Sequence, residues 1–109
     1  MSRIHAVDRA LEHYGIHMTK ESLGEIAVKC MKGIGRHVAT RGDHQVWRVI
    51  THGTSMLVVF DPERVRVVTI LHPKVVLRAN GSVDVRASLA NGTPDYRSIV
   101  VNELRRGGR

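Results

Sequence analysis

Between His37 and Leu71 short apolar runs alternate with turns of a few residues, and this spacing constrains the fold more than any other feature of the chain. His37–Thr40 predicts a first strand and Gly42-Asp43 a turn. His44–Thr51 predicts a second strand, with Val46, Arg48 and Ile50 on one face and Trp47 and Val49 on the other. His52-Gly53-Thr54 turns the chain again. Ser55–Phe60 is nearly all apolar, as a central strand would be. Asp61-Pro62-Glu63-Arg64 reads as a polar turn with proline in a favoured place. Val65–Leu71 predicts the fourth strand, and Pro73 breaks it. Consecutive short turns imply an antiparallel meander with helices packed on one face.

Two helices precede this sheet. Ile4, Val7, Leu11 and Tyr14 recur at helical spacing, and Gly15 supplies a left-handed stop. Thr19 is suited to cap a second helix, with Met18 and Leu23 at hydrophobic-staple positions. Leu23, Ile26, Ala27 and Cys30 form its apolar stripe, and Gly33 and Gly35 end it. After the sheet, Val75–Arg78 and Val83–Arg86 flank Ala79-Asn80-Gly81-Ser82, a signature of a type I′ hairpin. Asn91-Gly92 is another turn, and Thr93-Pro94-Asp95 resembles a helix start, with Tyr96, Ile99, Val100 and Leu104 as its apolar face. A final strand through Ile99-Val100-Val101 is the competing reading there. The expected fold class is therefore α+β, with two N-terminal helices packed on a four-stranded antiparallel sheet, plus a C-terminal hairpin and a short helix. At 109 residues this is expected as one domain, 1–109, with a helical block (1–35), a sheet block (36–72) and a hairpin and basic C-terminal segment (73–109).

Charge points to the kind of partner. Lys and Arg number 17 against 10 Asp and Glu, giving a net +7, an excess that favours polyanions such as RNA or DNA. The single Cys30 excludes an internal disulfide, and the lack of a CxxC pair excludes a thiolate zinc site. Cys30 reads as a buried thiol. No apolar run approaches the roughly 20 residues of a membrane span, and Met-Ser-Arg-Ile-His lacks the apolar stretch of a signal peptide. The cytoplasm is the expected compartment.

His5, Arg9 and His13 recur every four residues along one side of the first helix. Imidazole moves protons near neutral pH, and guanidinium holds phosphate through paired hydrogen bonds. A solvated helix face explains the same residues equally well. Arg48 lies on an otherwise apolar strand face, where a charge is costly unless it is paired or opens into a cleft. Thr69 sits between Val67 and Leu71, and His72 and His44 lie at strand ends. If the first helix crosses the sheet near Arg48 and Thr69, then His5, Arg9, Arg48 and Thr69 compose a metal-independent ribonuclease centre: a base for the ribose 2′-hydroxyl, an acid for the leaving oxygen, and cations and hydroxyls for the phosphorane. His13, His72, Arg97, Arg105, Arg106 and Arg109 are candidate nucleic-acid contacts. His13 and His17 would form a helical metal pair only across Gly15, so no metal and no cofactor is expected. Gly33-Ile34-Gly35 is too short for a phosphate cradle.

The segments IHAVDRALEHYGI, MTKESLGEIA, HQVWRVI, MLVVFDPE and VRVVTIL resemble small members of the RelE/EndoU-type ribonuclease-toxin superfamily, the BECR fold. The similar features are the His-Ala-x-x-Arg opening at His5–Arg9, the strand arginine Arg48 and the Val68-Thr69 strand ending. The resemblance covers about residues 4–72. It implies metal-independent RNA cleavage in toxin or phage settings, with an antitoxin or host protein as a further partner. A non-catalytic nucleic-acid-binding protein, a phage-type inhibitor and a protein-interaction module using the Asn80-Gly81 hairpin remain open beside it.

Overall fold

The structure is a computed structural model, and it describes residues 4–94. The protein is an α+β fold in which two helices pack on one face of a four-stranded antiparallel sheet. Helix α1 spans His5–Tyr14 and stops at Gly15, whose φ of 68° is left-handed. Helix α2 spans Lys20–Met31, with the Thr19 hydroxyl accepting the Ser22 amide. The strands β1 (Arg36–Arg41), β2 (His44–Thr51), β3 (Thr54–Asp61) and β4 (Arg66–Leu71) form a meander in chain order.

Turn chemistry sets the register. His52 and Gly53 both have positive φ, 53° and 70°, the geometry of a two-residue type I′ hairpin between Thr51 and Thr54. At the next bend the Asp61 carboxylate accepts the Glu63 and Arg64 amides and an Arg64 guanidinium N–H. Burial works against ionisation of Asp61, but these bonds outweigh it, and its carboxyl lies below the ordinary carboxylate range.

The two faces of the sheet are covered differently. Val49, Met56, Val58, Phe60 and Ile70 meet Ala6 and Ala10 of α1 and Leu23, Ile26, Ala27 and Cys30 of α2. Val46, Leu57, Val59 and Leu71 on the other face meet Val75, Leu77 and Val83 of the following segment. That segment crosses the sheet, so that its tip at Gly81 presses on Thr40 and Arg41 of β1; a Cβ there would lie 2.8 Å from the Arg41 Cβ.

Four expectations need correction. The buried stripe of α1 is Ala6 and Ala10, while Ile4 and Leu11 are exposed; alanine lets the helix lie closer to the sheet than a leucine stripe would. Val67 does not share a face with Thr69, because β4 bulges at Val68: Thr69 pairs with Val59, but Val67 pairs with Phe60. The Asn80-Gly81 turn is not type I′. Gly81 has φ 85° while Asn80 does not have positive φ; Gly81 N–H donates to Arg78 O and Arg78 N–H to Ser82 O, a three-residue loop with a glycine bulge. Its ladder is a single bridge, Leu77 to Val83. Val85 and Arg86, expected in a strand, instead open helix α3 (Val85–Asn91), because the Asp84 side chain caps it by accepting the Ala87 amide. The segment 95–104, read as helix or strand, lies outside the described residues.

Candidate functional site

His5, Arg9, Arg48 and Thr69 do not share a cleft. His5 and Arg9 belong to α1, on the helical side of the sheet. Arg48 pairs across the strands with Leu57, and Thr69 with Val59, which places both on the opposite face. The sheet stands between the two pairs. Thr69 is in addition only 1% exposed, and its Oγ1 has no partner, so it faces packed side chains rather than a ligand. Arg9 donates to both carboxylate oxygens of Glu12 at 2.7 Å, which occupies the guanidinium. Arg97, Arg105, Arg106 and Arg109 lie outside the described residues.

Two of the other candidates do meet. The His13 and His72 rings contact edge to face with centroids 5.4 Å apart. The rotation of α1 toward its alanine stripe turns His13 inward, leaving its Nε2 without a partner. Burial lowers the His13 pKa to about 4; Glu12 opposes the shift, and His72 and Arg9 add to it. Burial, with the Lys74 charge, lowers His72 as well, and its Nδ1 accepts the Lys74 amide. Both imidazoles are therefore neutral at neutral pH. Beside them Tyr14 bridges two strands: its hydroxyl accepts the Leu57 amide at 3.0 Å and donates to Leu71 O at 2.8 Å. Burial raises the Tyr14 pKa against the opposing pull of the Leu57 amide and the Arg48 charge.

The sequence reading missed a cleft on the far side of the molecule. A hollow of about 320 Å³ opens where β1 begins, β2 ends and β3 begins, lined by Lys29, Ile34, Gly35, Arg36, Arg48, Val49, Ile50 and Ser55. Three of these carry positive charge and none is acidic. Arg36 and Arg48 are directly opposite each other across the strands. Lys29 comes over from α2, where its ammonium donates to Ile50 O at 3.1 Å. The hollow exists because Gly35, at φ 129°, lets the chain enter β1 against Arg48; a Cβ would sit 2.9 Å from the Arg48 carbonyl oxygen. Ile34 and Ile50 form an apolar rim, with Ile50 69% exposed. Two like charges set opposite each other in a ladder repel, and among the described residues no carboxylate relieves them. A bound anion would. The isolated arginine at Arg48 was the available signal; its partners come from a loop and a second helix, whose approach no local pattern reports.

Among the described residues no three of His, Cys, Asp and Glu gather as metal ligands would. Cys30 is buried, with its thiol pushed up to about 11 by burial, and is inert as a nucleophile. No helix among the described residues is long and apolar enough to cross a membrane. No family model, no curated protein and no solved structure matches the chain.

Proposed function

We propose that the protein binds nucleic acid through the Lys29–Arg36–Arg48 cleft and acts by binding rather than by cutting. The observation that carries this reading is the cleft itself, three cations around one hollow with no acidic residue in its lining. The net charge of +7 adds long-range attraction for a polyanion. Against catalysis by the residues that the ribonuclease resemblance singles out stands their separation: Arg9 is occupied by Glu12, and Thr69 is sealed beneath Val75 and its neighbours. A toxin- or phage-related cytosolic setting remains part of the proposal, on the strength of the resemblance and the single reduced cysteine.

A second reading has one observation in its favour. The fold brings together His13 and His72, with the Arg9 and Lys74 charges acting on them, and these are the imidazoles through which any RNA cleavage would pass.

Labelled RNA, titrated with the protein at rising salt and in the presence of a chelator, separates the two. The expected result is salt-sensitive retardation with the RNA intact. Cleavage lost on His13→Gln or His72→Gln would establish the second reading, and cleavage lost on His5→Ala would restore the helical constellation. No retardation at low salt would overturn the proposal.

A further inference from the structure

Resting on that nucleic-acid reading, we infer that the cleft selects single strands over duplexes, holding one backbone phosphate between Arg36 and Arg48 while Ile34 and Ile50 cover the adjoining sugar and base. Four observations converge on this.

The first is size. At about 320 Å³ the hollow is at the small end of ligand-sized sites, which run from about 300 to 1,000 Å³. It admits one nucleotide, not a duplex whose major groove alone is about 12 Å wide. The second is the spacing of the cations. Arg36 and Arg48 are direct cross-strand partners, and such residues stand with Cβ atoms about 4.5–5.5 Å apart. Two guanidinium forks this close converge on one phosphate, and the Ser55 hydroxyl at the β3 side is a further donor. The third is the rim. Ile34 is 54% exposed and Ile50 69% exposed. Apolar groups beside a phosphate site have little to touch on a duplex backbone, but they meet the open face of an unstacked base on a single strand.

The fourth concerns the helices. Duplex readers place a helix in the major groove. Here α1 and α2 carry Asp8, Glu12, Glu21 and Glu25 against Arg9, Lys20 and Lys29, and Arg9 is already bound to Glu12. These helices would be repelled from a groove. The cations unbalanced by a carboxylate lie on the sheet end, where the surface is concave.

Fluorescence anisotropy tests this with fluorescein-labelled decamers of oligo(rU), oligo(dT) and a mixed-sequence duplex. The single strands, RNA and DNA alike, are expected to bind at least about tenfold tighter than the duplex, one charge-assisted fork being worth about that factor. Arg36→Gln with Arg48→Gln should abolish the difference and lower the salt slope by about 1.4, at roughly 0.7 per lost single-strand phosphate contact. Ile50→Glu keeps both arginines, alters an exposed position and sets a carboxylate on the rim; it should weaken single-strand binding as strongly. Lys20→Gln with Arg86→Gln removes the same charge elsewhere and should leave the preference intact. Equal or tighter duplex binding would overturn the inference alone, as would binding indifferent to the cleft variants. Competition by polyglutamate as effective as that by oligo(rU) would assign the cleft to an acidic protein instead. Failure of the wild type to bind any of the three nucleic acids would overturn the underlying reading.

Discussion

His13 shows how a half-turn of helix rotation changes what one residue does. Read along α1 it belongs with His5 and Arg9 on a surface stripe. In the fold it packs edge to face on His72, with its Nε2 lacking a partner. A histidine whose folded pKa is about 4 and whose unfolded pKa is about 6.5 binds its proton more tightly in the unfolded chain. Its contribution is therefore fully present above about pH 6.5 and is lost as pH falls toward 4. His72 shifts in the same direction. Urea midpoints should thus fall between pH 7 and pH 4.5, and His13→Gln should flatten that dependence. A wild-type midpoint that holds steady or rises on acidification would contradict the burial described for this ring.

At the scale of elements, two glycines carry opposite expectations. Gly35 combines φ 129° with a Cβ position 2.9 Å from the Arg48 carbonyl oxygen, so Gly35→Ala should cost about 1–3 kcal/mol and widen the mouth of the cleft. Gly24 lies inside α2 with nothing within 4 Å of its Cβ position, so Gly24→Ala should stabilise by about 0.5–1 kcal/mol. Thermal denaturation followed by circular dichroism distinguishes the two signs.

The same scale shows what could be read beforehand. The meander, the Thr19 cap and the Leu23–Ile26–Ala27–Cys30 stripe were legible because each is written in residues a few places apart. Alternation assigned Arg48 and Trp47 to opposite faces correctly for the same reason. The Val68 bulge was not legible, since which residue a strand skips depends on what packs above it. Nor was α3, whose Asp84 cap competes locally with the strand pattern of Val83–Arg86. The cleft lay further beyond reach: Lys29, Arg36 and Arg48 come from three elements, and only the closed sheet makes them neighbours. The supposed catalytic set failed for the converse reason. Pattern reading gives each residue a face of its own element but not the side of the sheet on which that element docks.

For the whole molecule, charge is distributed unevenly along the chain. Residues 73–109 hold seven Lys and Arg against three Asp and Glu, and three of those arginines fall within 105–109. If the terminal arginines reach phosphates in the same complex as the cleft, removing 105–109 should lower the single-strand salt slope by about 2. An unchanged slope in the truncated protein would confine the ionic contacts to the remainder of the chain.

The Tyr14 hydroxyl links these scales in time as well as in space. It fills the rung between β3 and β4 at Leu57 and Leu71, residues that follow it by 43 and 57 places. A chain emerging from the ribosome completes its first helix long before it has made the strands that helix must join. Closure of that rung is therefore a late, long-range event, of the kind that slows folding. Once closed, it makes the Leu57 amide, though it belongs to a strand, depend on a helix for its protection from solvent exchange.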